Sequence, residues 1–114
     1  MFGLPENFDA NGFIGKTLEI VTFGQYNTSL TFSDGYLVDI EGKISINSGA
    51  PVDLPDSLPQ LYPLINHTIQ RAQASANGTL TLIFENETAL HILDSNDHFE
   101  SYQLTLGSKE LIVV

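Results

Sequence analysis

The stretch Gly78-Thr79-Leu80-Thr81-Leu82-Ile83-Phe84-Glu85-Asn86-Glu87-Thr88-Ala89-Leu90-His91-Ile92 decides the fold. Leu80, Leu82 and Phe84 alternate with Thr79, Thr81 and Ile83, the two-residue period of a strand with one face turned inward. Glu85 to Thr88 breaks the pattern, and Leu90 and Ile92 resume it. Asp94-Ser95-Asn96-Asp97 breaks it again before Tyr102, Leu104 and Leu106. Two interruptions between three alternating runs predict a three-stranded antiparallel meander.

Working outward, the first half reads the same way. Lys16 to Phe23 predicts a strand with Leu18 and Ile20 on one face and Glu19 and Val21 on the other. Asn27 to Phe32 follows, with Leu30 and Phe32 inward. Ser33-Asp34-Gly35 is the clearest turn, because Asp and Gly tolerate positive φ at low steric cost. Tyr36 to Ile46 predicts one long strand: Tyr36, Val38, Ile40, Ile44 and Ile46 share one parity, and Gly42 is the gap where a bend or bulge belongs. Leu30 to Gly35 with Leu37 matches Leu82 to Glu87 with Leu90 if one residue is inserted. Any two meanders share that much, so an ancestral duplication is left open.

Between the halves, Pro51, Pro55, Pro59 and Pro63 recur every four residues. Leu54, Leu58, Leu61 and Ile65 have helical spacing behind Asp56 as an N-cap, which predicts a short helix near Ser57 to Tyr62, ending or kinking at Pro63. Thr68 to Ser75 admits helix or strand. Asn77-Gly78, a hairpin turn, favours strand. The expected organisation is a single domain over residues 1–114, α+β but mainly β. An irregular arm (1–12) precedes a first meander (13–46). A proline-rich linker with one short helix (47–67) leads to the second meander and C-terminal strand (68–114). About seven strands would form a sandwich or half-barrel.

Composition narrows the function. A chain of 114 residues buries roughly two thirds of its unfolded surface, enough for one core without disulfides or metals; there is no cysteine. The beginning of the chain has no basic and apolar signal region, and no run approaches the ~20 apolar residues that cross a bilayer. A cytoplasmic location is the expectation. Fourteen acidic and four basic residues give a net charge of −10. That field repels phosphate backbones and anionic lipid, so neither nucleic acid nor membrane is an expected partner, whereas a basic protein is.

Several motifs fall short of the chemistry they suggest. Ala10 to Thr17 fits a relaxed phosphate-loop pattern, but a strand-like run follows it where a helix is needed. Asn27, Asn66, Asn77 and Asn86 head glycosylation sequons that are also ordinary turn grammar. Asp94, Asp97 and His98 match no zinc set or full calcium loop. No nucleophile–base pair or carboxylate pair in a cleft is readable, so no cofactor, metal or catalytic residue is expected. The acidic residues gather at predicted loops. Asp34, Glu85 and Glu87 fall at one end of the meanders, and Asp94, Asp97 and Glu100 at the other, with Phe99 as an apolar anchor. Asp39 and Glu41 lie on the polar face of the long strand.

Gly15 to Gly24, Leu30 to Gly35, Gly78 to Phe84, Phe99 to Leu104 and Ile112 to Val114 resemble a group of small bacterial proteins of poorly defined function. Some members of that group look like immunity proteins of polymorphic-toxin or contact-dependent growth-inhibition systems. The resemblance covers roughly residues 15–41 and 77–114. Its motifs are turns and strands, with Asn86-Glu87 here in place of Asp-Gly. It implies a cytoplasmic inhibitor that occludes a basic toxin domain, often a nuclease, with ribonuclease favoured. No functional residue of that group carries over; the clustering of acidic residues itself puts the contact at Asp94, Asp97, Glu100, Phe99, Glu85, Glu87, Asp34, Asp39 and Glu41. The alternative is a non-catalytic binding or assembly module acting through its edge strands.

Overall fold

The alternating runs become strands. The computed structural model describes residues 8–25, 27–53, 58–94, 101–107 and 110–114. Among them are nine strands: β1 (Leu18–Phe23), β2 (Thr28–Phe32), β3 (Tyr36–Ile40), β4 (Ile44–Ile46), β5 (Ile69–Ala74), β6 (Leu80–Phe84), β7 (Ala89–Ile92), β8 (Tyr102–Leu106) and β9 (Glu110–Val113). They form two antiparallel sheets, ordered β1-β2-β3-β8-β9 and β4-β7-β6-β5. Helix α1 (Leu58–Leu61) runs into a 3₁₀ turn at Tyr62–Leu64. Pro63 forces that tightening, since it lacks the amide an α-helix would use. Thr68 to Ser75 contains a strand, as Asn77-Gly78 indicated.

The core lies between the sheets. Leu30, Phe32, Val38, Ile40, Tyr102 and Leu104 face inward from the larger sheet; Ile44, Ile69, Leu80, Leu82, Phe84, Leu90 and Ile92 face them from the smaller. All are buried, each such side chain contributing about 1.5–3 kcal/mol. Phe13, Leu61 and Leu64 fill the sides. Phe13 sets its ring edge-on to Phe32 at 6.0 Å and to Tyr36 at 5.1 Å.

Three expectations need correcting. The run Tyr36 to Ile46 is two strands in different sheets. The chain leaves the larger sheet after Ile40 and enters the smaller at Ile44. Parity survives the crossing because both inner faces look onto one core. In β1, Ile20 does not share a face with Leu18. The register slips between them, Leu18 opposing Phe32 and Ile20 opposing Thr31. This β-bulge turns Val21 toward the core and leaves Ile20 54% exposed. The halves also align without an inserted residue at the turn. Both hairpin loops, Ser33–Gly35 and Glu85–Glu87, have three residues, so Val38, not Leu37, corresponds to Leu90. The extra residue lies earlier, in the longer connection from Ala74 to Leu80 compared with Phe23 to Thr28.

With that register the halves correspond in detail. β5 has the same bulge as β1, with Ile69 opposite Phe84 and Arg71 opposite Ile83. Each meander sends its next strand to the other sheet: β4 pairs with β7, and β8 with β3. At the junction, Gly15 N–H donates to Ile69 C=O at 2.8 Å and Asn66 N–H to Leu18 C=O at 2.7 Å. Leu18 N–H donates to His67 C=O at 3.0 Å and Ile69 N–H to Lys16 C=O at 2.9 Å. Exchange of equivalent donors and acceptors is what an approximate two-fold axis produces. It passes by the Thr17 and Thr68 hydroxyls, 2.9 Å apart.

Candidate functional site

The end of the molecule around this junction carries three exposed carboxylates, Asp34, Glu85 and Glu87. Ser33 N–H donates to Thr17 C=O at 3.0 Å and Glu85 N–H to Thr68 C=O at 2.8 Å, so both hairpin loops are tied to the axis. The loops project Asp34 from one half and Glu85 and Glu87 from the other, all exposed. Two nitrogen-bearing side chains, Lys16 and His67, stand among them in equivalent positions. Lys16 Nζ lies 3.3 Å from Asp34 Oδ2 and 4.9 Å from the centre of the Tyr36 ring. His67 Nδ1 lies 3.3 Å from Glu85 Oε1. Glu87 has its own peculiarity. Its φ is +72°, where the equivalent residue of the first half is Gly35 at +79°. A left-handed backbone costs a residue with a Cβ roughly 1–2 kcal/mol, and glycine almost nothing.

The other acidic residues picked out by sequence are placed differently. Asp39 lies on the outer face of the larger sheet, but its Oδ1 accepts from Asn27 Nδ2 at 2.6 Å and Ser29 Oγ at 3.0 Å. Asp94 is half-buried at the opposite end, where Ser101 Oγ donates to its Oδ1 at 3.1 Å. The Glu41 N–H donates to Ser101 C=O at 2.8 Å, so Glu41 sits at that end too. Asp97, Phe99 and Glu100 lie outside the described residues. The structure therefore brings Asp34, Glu85 and Glu87 together and separates them from Asp39, Glu41 and Asp94.

Beside Asp94 is a strongly perturbed group, Tyr102. Tyr102 is buried and its hydroxyl donates to Gly78 C=O at 2.6 Å. Burial first, and then the negative charge of Asp94, push the phenol far above its ordinary value. Gly78 has φ +89°, and a Cβ there would meet Asp94 at 2.6 Å. This end is closely fitted, and its polar groups serve each other.

Among the described residues no three His, Asp or Glu side chains are placed to hold a metal ion. No helix among them is long and apolar enough to cross a membrane. Within Ala10 to Thr17 a 3₁₀ turn (Ala10–Phe13) leads towards β1, not a loop into a helix.

A family model matches residues 10–114, spanning both meanders and the junction. The chain belongs to DUF6188, a family of unknown function. No curated protein and no solved structure matches it. This DUF6188 chain carries its own reference, because its two halves repeat one design. Comparison of its two halves serves as an internal control: where one half shows that the scaffold needs no particular side chain, a departure in the other calls for another reason. Sequence reading missed Lys16 and His67, which face the acidic loops, because only the reciprocal pairing at Thr17 and Thr68 brings them there.

Proposed function

We propose that this DUF6188 chain is a binding protein that holds a basic protein partner against the end formed by Asp34, Glu85 and Glu87 and performs no chemistry itself. Its specific form would be an immunity-type inhibitor that covers the active site of a cognate toxin domain in the cytoplasm, ribonuclease being favoured. The observation that carries this reading is Glu87. The second half keeps a carboxylate in a left-handed conformation that the first half gives to glycine, and strain of this kind gathers where function requires it. The net charge of −10 supplies the long-range part. It steers a positively charged partner and speeds encounter, most strongly at low salt. A second reading, an assembly module, is favoured by β1. It is an edge strand with Ile20 54% and Phe23 39% exposed, and edge strands with apolar side chains invite pairing.

The test is affinity capture from the native host with the wild-type chain and with Asp34→Lys/Glu87→Lys, followed by mass spectrometry. A basic protein retained by the wild type and lost by the variant supports the reading, as does a toxin-like gene immediately upstream. Equal capture by both counts against it. Concentration-dependent self-association without a basic partner would favour the assembly module.

A further inference from the structure

A second feature stands out against the internal control. A groove of about 310 Å³ runs between the 3₁₀ turn at Ala10–Phe13 and the outer side of β5, lined by Asn11, Ile14, Arg71, Ala72, Gln73 and Ile83. Ile14 is 44% exposed there. Arg71 is exposed, and it is the cation without an acidic partner among the described residues; Lys16 has Asp34 and Lys43 has Asp53. Asp9, which leads into the turn, is engaged by the Asn11 N–H at 2.9 Å. Arg71 occupies the position that Ile20 holds in the first half, since each follows its bulge and opposes Thr31 or Ile83. An exposed aliphatic residue serves the fold at this point, so the backbone does not require a guanidinium here.

We infer that this groove binds a small organic monocarboxylate with an apolar body. The guanidinium offers paired donors that match the two oxygens of a carboxylate. Ile14, Ala72 and Ile83 supply walls for the body, and Asn11 and Gln73 supply polar edges. The volume is at the low end of small-ligand sites, which run from about 300 to 1,000 Å³. The charge of the whole molecule selects against polyanions, whose repulsion grows with each added charge. The inference does not depend on the acidic end, which is built from other residues.

The test is a ¹H–¹⁵N titration with 3-phenylpropionate, its neutral analogue 3-phenylpropanamide, and inorganic phosphate. The expected result is saturable shifts at Asn11, Ile14, Ala72, Gln73 and Ile83 with millimolar or tighter affinity for the carboxylate. The amide should bind about tenfold more weakly or worse, because the charge-assisted bonds are lost. Phosphate, which makes no use of the apolar walls, should also bind more weakly. Arg71→Gln should weaken carboxylate binding by a similar factor with the rest of the spectrum unchanged, and Arg71→Lys should fall between. The inference is overturned by equal binding of acid and amide, by phosphate binding as tightly as the acid, by an unaffected Arg71→Gln variant, or by no saturable shift up to tens of millimolar. None of these outcomes bears on capture of a basic protein at the other site.

Discussion

Glu87 occupies in the second half the backbone position that Gly35 occupies in the first, both with φ above +70°. Glycine is the residue that this position suits. Glu87→Gly should therefore raise stability by about 0.5–1 kcal/mol, read as a shift of the urea midpoint at constant slope. The same change should slow association with a basic partner, most visibly at low salt. A loss of stability would mean that Glu87 makes contacts that outweigh its backbone cost, and the functional argument from strain would lose its basis.

The strands were legible because alternation is a local property and both halves obey it. What escaped were features set by an extra residue or by partner choice. The bulge at Leu18 and Ile20 looks like uninterrupted alternation in one dimension; only pairing with β2 reveals that Glu19 is supernumerary. The crossing at Glu41-Gly42-Lys43 kept its parity, so one long strand and two strands in different sheets read identically. At the candidate site, turn composition was enough to find Asp34, Glu85 and Glu87. The internal engagement of Asp39 depends on Ser29 standing directly opposite it, and that of Asp94 on Ser101, seven positions further along the chain. Neither relationship is written in neighbouring residues.

Tyr102 gives a pH-dependent prediction. Its phenol is held well above its ordinary value of about 10 by burial and by Asp94. Below pH 10 neither the folded nor the unfolded chain ionises there, and the contribution of this residue is fully present. Above pH 10 the unfolded chain releases the proton and the folded chain keeps it. Stability should then fall by up to about 1.4 kcal/mol per pH unit from this group, until the folded value is reached. Tyrosinate absorbance should show one phenol silent until unfolding, and Tyr102→Phe should remove that late step. The same variant should cost about 1–3 kcal/mol, because Gly78 C=O loses its donor inside the core. A phenol titrating early in every tyrosine would refute the placement.

Thr28 shows the opposite imbalance. It is 1% exposed and its hydroxyl has no hydrogen-bond partner among the described residues. Its equivalent in the second half is Leu80, buried and apolar. Removing an unsatisfied hydroxyl while keeping the branched shape should recover about 1 kcal/mol or more. Thr28→Val should thus raise the calorimetric Tm by a few degrees. An unchanged or lowered Tm would show that the hydroxyl is satisfied in solution.

Asp39 and His91 are the last equivalent pair, and they meet equivalent partners by opposite chemistry. Ser29 donates to Asp39, and Thr81 Oγ1 lies 2.8 Å from His91 Nδ1. The other ring nitrogen, Nε2, lies 2.9 Å from the Asn47 carbonyl. A carbonyl only accepts, so Nε2 must carry the hydrogen, and in the neutral ring Nδ1 must accept from the Thr81 hydroxyl. Long-range ¹H–¹⁵N correlation on the neutral protein should accordingly report a protonated Nε2 and a bare Nδ1 at His91. Thr81→Val should leave Nδ1 without its donor and shift that nitrogen alone, with Nε2 unchanged because its partner is on another strand end. The reverse tautomer would break the contact with Asn47, whose side chain also accepts from the Ala89 N–H at 2.9 Å.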